Sequence, residues 1–261
     1  SMYIYGTRSS GLTGNQLKLI GIAAVLIDNL GAVVIQGVIL QGGSPELYQT
    51  AAAGDGHMWM IAGQVCRYVG RLGFQILGFL TAEEFVRARD RQGYGVRMLA
   101  AALISEVPFD LAVYGRAVYP QYQNMLFTLF IGILIMAVME ETRNLPVRIG
   151  AVAAGCAVSW LGQCDYNVLG VLFITAMYIF RRNDLARVGS GIGLCAAESV
   201  SCYCVSALAF VPIVMYNGRR GAIQLKYLLS IFYPLHLMAL YGIRIAAGCN
   251  ISGTEHGLNV S

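Results

Sequence analysis

Along this chain, long apolar blocks alternate with short polar connections. A bilayer's hydrocarbon takes about 20 helical residues, and blocks of that order lie near residues 17 to 40, 57 to 81, 95 to 113 and 124 to 139. Less clean blocks follow near 147 to 163, 167 to 180 and 223 to 247, with a run from 186 to 217 that holds either one long helix or two short ones. The pattern predicts an all-α, polytopic integral membrane helical bundle, one domain over residues 1–261.

The basic residues orient the bundle. With the N-terminus in the cytoplasm, Arg8 and Lys18, then Arg87, Arg89, Arg91 and Arg97, then Arg143 and Arg148, then Arg181, Arg182 and Arg187 fall inside, and Arg116 falls outside. For Arg219, Arg220 and Lys226 to be inside as well, the chain must cross twice, or enter and return, between residues 186 and 217. That gives about nine transmembrane or re-entrant segments and an external C-terminus. Two helices cut from that run would each span only ~22 Å, which suits a short re-entrant hairpin.

Composition sharpens this. Hydrophobic residues make up 57% and charged residues 12% of 261, where a soluble domain carries about 25% charged, and mean hydropathy is +0.61. A water-soluble enzyme is excluded. The 31 glycines suit closely packed membrane helices. The net charge of +4 comes with no basic helix or aromatic-basic module for nucleic acid. Seven cysteines, at 66, 156, 164, 195, 202, 204 and 249, lack paired C-x-x-C spacing and read as small core residues. Ser1-Met2 reads as a remnant of tag removal before the natural start, and the first apolar block is expected to be retained. No internal repeat is visible. The loops 41 to 56 and 82 to 94 are each too short to fold alone.

Several polar residues fall at membrane depth. Arg67 and Arg71 sit near the middle of the second block, four apart and so on one helix face. A cation there costs roughly 2.5–3.5 kcal/mol on insertion scales, so an anionic partner is expected. Asp28, followed by Asn29, lies well into the first block, Glu106 and Asp110 occupy the third, and His236 lies about midway in the last. By direction and rise, Asp28, Arg67, Glu106 and His236 reach similar depth on four helices, as a polar cavity requires; a structural ion-pair network accounts for the same residues. Pro234, in Phe232-Tyr233-Pro234-Leu235-His236, is expected to break the backbone just before the histidine. His57 and His256 lie outside the blocks. Arg244 is expected to snorkel to the external headgroups. Asn124 and Asp165-Tyr166 either line the external mouth of the cavity or cap helices, and Glu198 sits near the tip of the hairpin.

Taken in order, several motifs resemble the TraX family of integral membrane acyltransferases. They are Leu17-Lys18-Leu19-Ile20 leading to Leu26-Ile27-Asp28-Asn29-Leu30-Gly31, Gly70-Arg71-Leu72-Gly73-Phe74, and Ser105-Glu106-Val107-Pro108-Phe109-Asp110-Leu111. Further along come Gln123-Asn124-Met125-Leu126-Phe127-Thr128, Asp165-Tyr166 with Gly170, and Phe232-Tyr233-Pro234-Leu235-His236-Leu237. Two positions depart from the family pattern. Asn29 stands where the family has histidine after the aspartate, and Gln75 where proline follows phenylalanine. Either Asn29 is an inactivating replacement, or His236 is the working base and residue 29 orients a substrate.

The resemblance implies transfer of an acetyl group from cytosolic acetyl-CoA to an amine or hydroxyl presented from the other side of a bacterial cytoplasmic membrane. Pilin is the family's named acceptor; another peptide, a glycan or a small molecule would satisfy the same chemistry. On this reading His236, Asp28 and Asn29 are catalytic, His236 taking the nucleophile's proton while a carboxylate such as Asp28 orients it. Arg71 and Arg67 meet the donor's phosphates or thioester carbonyl. Glu106, Asp110, Asn124, Asp165, Tyr166 and Tyr233 contact the acceptor. No metal is expected, because the three histidines lack ligand spacing. The competing reading is a transporter or flippase whose buried charges bind a moving substrate; a receptor or assembly subunit is a third.

Overall fold

A computed structural model describes residues 11–40, 56–198, 205–221, 225 and 227–247. Arg8, Lys226, the loop 41 to 55, His256 and the cysteines at 202, 204 and 249 lie outside the described residues, as do the side chain of Glu198 and the tip of the hairpin.

The described residues are all-helical, without strands. Helix α1, Gly14–Asn29, continues as a π-helical stretch, Leu30–Ile39. Then come α2, Gly56–Arg87; α3, Arg91–Tyr114; α4, Met125–Glu141; α5, Leu145–Leu161; α6, Asn167–Ile179; and α7, Asp184–Glu198. A 3-10 turn, Val205–Ala209, runs into the short α8, Phe210–Val214, and α9, Leu228–Ala246, ends the fold.

The helix ends follow from local chemistry. Thr13 and Gln16 form a reciprocal capping box at the start of α1. Asp90 accepts from the Gly93 amide at 2.7 Å to start α3, and Gly115, at φ +69°, ends it in the left-handed conformation that glycine adopts without strain. Asn124 Oδ1 accepts from the Leu126 amide at 3.1 Å to start α4.

Side-chain contacts fix the helix directions. Gly21 packs on Leu77 and Gly31 on Cys66, so α1 and α2 run antiparallel. Phe74 meets Tyr166 and Phe85 meets Tyr178, so α2 and α6 run parallel. Arg97 approaches Tyr227 while Arg244 reaches Ala112 and Val113, so α3 and α9 run parallel. A strand-like bridge between Leu12 and Tyr216, continued by the Gly14 amide on the Arg219 carbonyl at 2.7 Å, joins the start of α1 to the segment after α8.

The run from 186 to 217 is two short segments: Ser206 Oγ donates to the Cys195 carbonyl at 2.9 Å and Phe210 packs on Gly191, bringing the turn and α8 back along α7. At fifteen residues α7 is ~22 Å long, short of the bilayer's ~30 Å of hydrocarbon. Among the described residues two helices are long and apolar enough to cross a membrane, Gly14–Ile39 and Leu228–Ala246. The 32 residues of α2 and 24 of α3 are long enough but interrupted by charged side chains, among them Arg67, Arg71 and Glu106.

Two expectations change. Arg244 does not snorkel outward: it is 4% exposed, and its Nη1 donates to the Ala112 and Val113 carbonyls at 2.7 and 3.0 Å. Those carbonyls lie in the last turn of α3, where helix geometry leaves acceptors open and a cation is favoured. Pro234 does not break α9, which runs unbroken through it, although proline still deprives the Ser230 carbonyl of its helical donor.

Candidate functional site

The site grows from the close approach of α1 and α2. At Gly70 any Cβ would overlap the Asp28 carboxyl, so the glycine is what lets the Asp28 side chain on α1 come against the backbone of α2. Gly73 gives Val25 the same room one turn on. One turn before Gly70, Arg67 Nη1 donates to Asp28 Oδ1 at 2.6 Å. Both side chains are partly covered, and a charge-assisted bond of this length supplies the anion that a cation at this depth requires. Arg71 follows on the same helix face, and its charge reaches Asp28.

Asn29, next on α1, turns to α9. Its Nδ2 lies 2.8 Å from His236 Nε2, while His236 Nδ1 lies 3.0 Å from the Phe232 carbonyl. A carbonyl only accepts, so Nδ1 carries the hydrogen, Nε2 presents its lone pair to the Asn29 amide, and the ring is the neutral tautomer. The imidazole stacks on Phe232, with centroids 4.5 Å apart, and meets the edge of Tyr233. His236 is 7% exposed, whereas its neighbour Leu235 is 62% exposed, so α9 turns its imidazole inward and its leucine out. The residue that orients His236 on the α1 side is therefore Asn29, with Asp28 committed to Arg67.

A third group closes the far end. Asn124 Nδ2 donates to Glu106 Oε2 at 2.5 Å and to the Ala102 carbonyl at 3.0 Å, so Asn124 is both a helix cap and a tie between α3 and α4. The segment 163–167 is pinned by Gln123, whose amide donates to the Gln163 carbonyl at 3.2 Å and whose carbonyl accepts from the Asp165 amide at 3.0 Å. Three non-glycine residues there, Gln163, Tyr166 and Asn167, have φ of +48°, +61° and +41°. Each such residue costs of order 1–3 kcal/mol and persists only where its surroundings hold it. The turn carries Asp165 Oδ1 to the Tyr122 hydroxyl, 2.8 Å, and lays the Tyr166 ring on Phe74, 3.9 Å between centroids and 8° from parallel. Thr128 donates to the Asp165 carbonyl. In this loop Asp165's charge, with burial, holds the Tyr122 phenol protonated far above its ordinary range, and burial pushes the Cys164 thiol up to about 11.

These groups act on one another. Tyr233, 2% exposed, feels the charges of Asp165, Asp28 and Glu106, and Arg67 feels those of Asp28 and Asp165. Asp28, Asn29, Arg67, Glu106, Asn124, Asp165, Tyr166, Tyr233 and His236 thus come together from α1, α2, α3, α4, α9 and the turn before α6. Asp110 reaches the group through its charge on Glu106, while its Oδ2 accepts from the Tyr119 amide at 2.6 Å and holds the loop after α3, and its Oδ1 is buried without a hydrogen-bond partner among the described residues. Sequence reasoning named Phe74 and Thr128 only as members of motifs, with no role, and did not single out Tyr122. Tyr122 adjoins the polar pair Gln123-Asn124 and Phe74 closes the glycine-rich motif, which is where such partners were to be sought.

Two spaces flank the site. A shallow groove of about 430 Å³ beside the strained turn is lined by Tyr122, Trp160, Cys164 and Tyr166. At the opposite end of the bundle a cavity of about 350 Å³ lies among α1, α2, α3 and the segment after α8. Among the described residues no three His, Cys, Asp or Glu side chains gather as a metal site would need.

A family model described as TraX protein matches residues 13–244, from the cap of α1 to the last turn of α9. No curated protein and no solved structure matches.

Proposed function

We propose, since the chain belongs to the TraX family, that it is a multi-pass membrane acyltransferase moving an acetyl group from cytosolic acetyl-CoA to an amine or hydroxyl acceptor. The N-terminus lies in the cytoplasm, and the membrane is a bacterial cytoplasmic one. The observation that carries the reading is the neutral imidazole of His236, held inside the bundle by Asn29 and the Phe232 carbonyl beside the Asp28–Arg67 pair.

The outside of the bundle supports the membrane. Leu103, Ile104, Ile149, Trp160, Leu208, Val211 and Leu235 are more than half exposed, while Asn29, Asn124, His236 and Arg244 are buried. Apolar outward and polar inward is the arrangement that lipid favours and water opposes. Multi-pass topology agrees with the alternating helix directions, which bring Arg87, Arg97, Arg181 and Arg219 to one end.

In the reaction the acceptor's N–H or O–H replaces the Asn29 amide at His236 Nε2. As the acceptor atom bonds to the acetyl carbonyl carbon, its proton passes to Nε2, the C–S bond breaks, and the sulfur leaves to take up a proton as the thiol. The histidine's other nitrogen stays on the Phe232 carbonyl, which keeps Nε2 the basic atom. Arg67 fixes the Asp28 carboxylate, and Arg71, four residues on along the same helix face, meets the carbonyl oxygen as charge develops. Glu106, Asn124, Asp165, Tyr166 and Tyr233 shape the acceptor side, with the carboxyl groups of Asp165 and Glu106 offering hydrogen-bond acceptors to an amine. Asn29 positions the histidine without itself taking a proton.

Purified protein in detergent, given acetyl-CoA with and without small amine acceptors, tests this through release of free thiol. Wild type is expected to release thiol, His236→Ala to lose at least about a hundredfold, and Asn29→His to retain or raise the rate. Full activity in His236→Ala removes the histidine from the reaction. No thiol release from wild type, or from Asn29→His, with any acceptor favours the alternative of a transporter or flippase.

A further inference from the structure

The cavity at the cytoplasmic end, which the catalytic reading leaves unused, has the chemistry of an anion site. Its wall carries five cationic side chains, Lys18, Arg87, Arg89, Arg97 and Arg220, against three carboxylates, Glu83, Glu84 and Asp90. The carboxylates are already engaged. Glu83 takes Arg87 at 3.0 Å and Arg187 at 2.8 Å, Glu84 takes Lys18 at 2.5 Å, and Asp90 caps the Gly93 amide. Three arginines are left without a carboxylate among the described residues. Arg97 lies over the Tyr94 and Tyr227 rings, Arg220 donates to the Arg87 carbonyl at 3.0 Å, and Arg89 is exposed at the rim. Guanidinium groups spaced around about 350 Å³ suit phosphate oxygens, which they grip two at a time.

A second, much smaller space adjoins the cavity. At about 20 Å³, room for a water molecule, it shares Lys18, Glu84, Tyr94 and Arg97 with the cavity and is lined as well by Leu77, Thr81, Leu229 and Ser230. Ser230 lies about 9 Å along α9 from His236, and its carbonyl is the one Pro234 deprives of a helical donor.

The geometry points to this cavity as the binding site for the phosphate groups of a nucleotide-type ligand, which on the reading above is the acyl donor. Arg89 and Arg97 hold the phosphates; Arg67 and Arg71 are left to the reacting end. An anionic lipid headgroup offers the same phosphate chemistry, so the test separates the two.

The experiment measures binding to the full chain in detergent and in nanodiscs with or without phosphatidylglycerol, using coenzyme A, adenosine 3′,5′-bisphosphate and pantetheine. The variants are Arg89→Gln with Arg97→Gln, the same pair to Lys, and Arg143→Gln as an exposed control; thermal unfolding checks that each is folded. Coenzyme A and the bisphosphate are expected to bind wild type and the control alike, to weaken at least about tenfold in the Gln pair, and to recover partly in the Lys pair, with weak pantetheine binding unchanged. Equal coenzyme A binding by wild type and the Gln pair overturns the cavity while leaving the acyltransferase reading intact. Bisphosphate binding that depends on the arginines in a protein that never releases thiol upholds the cavity and sinks the acyltransferase reading. Loss of coenzyme A binding whenever phosphatidylglycerol is present makes the anion a lipid and overturns the proposal, as does failure of wild type to bind either nucleotide.

Discussion

Asp28 and Asn29 are neighbours with opposite commitments, and the division depends on Gly70. With no Cβ there, the carboxylate settles on the backbone of α2 and meets Arg67, leaving Asn29 to face His236. Gly70→Ala is expected to push Asp28 off its arginine, lowering Tm by several degrees, as overpacking of about 1–3 kcal/mol does, and reducing thiol release. Gly150→Ala, where a new Cβ would meet nothing within 4 Å, is expected to leave both unchanged. Equal effects of the two substitutions on Tm and turnover would contradict this account of the Asp28 site. At this scale much was legible. A charged or amide side chain in an apolar block needs a partner, and Asp28, Arg67, Glu106, Asn124 and His236 each have one. What a sequence does not carry is the direction of a side chain about its helix. Asp28 was thus expected to orient His236 where Asn29 does, and Arg244 to reach outward where it closes the end of α3.

At the scale of elements, the helix ends near the basic loops are tied by Glu140, at the end of α4. It accepts from the Tyr178 hydroxyl and pairs with Arg91 at 3.3 Å and Arg181 at 3.7 Å, so it joins three helices. The Tyr178 hydrogen bond first, and the two arginines after it, hold its carboxyl below the ordinary 4.5. A carboxyl depressed on folding adds stability that is complete above its unfolded value and is lost as pH falls through its folded one. The Tm of wild type is therefore expected to exceed that of Glu140→Gln near neutral pH, with the gap closing below about pH 4.5. A gap that stays constant into acid would contradict the tie. Element positions were largely legible because each apolar block became a helix and the basic residues required a return between 186 and 217. The continuity of α9 was not, since proline's lost hydrogen bond and ring clash are local penalties that packing on α3 outweighs. The strained turn at 163–167 was also hidden, because its positive φ values fall on Gln163, Tyr166 and Asn167 rather than on glycine.

For the whole molecule, the reading requires an inside and an outside. Topology reporters inserted at 116–118 are expected to report an external location, and reporters at 89–90 and 142–144 a cytoplasmic one; the same side for all three would dismiss the alternating arrangement. Family membership and the apolar blocks were legible from end to end. The cavities at the two ends were not, because each is made by segments far apart in the chain: Lys18, Arg97 and Arg220 at one end, Tyr122, Trp160 and Tyr166 at the other. The most direct measurement reconstitutes the protein in sealed liposomes, supplies acetyl-labelled coenzyme A on the side of Arg89 and Arg97 only, and holds an amine acceptor on the other. Label is expected on the enclosed acceptor with wild type and not with His236→Ala; label that never crosses, or crosses equally with both, contradicts transfer through the bundle.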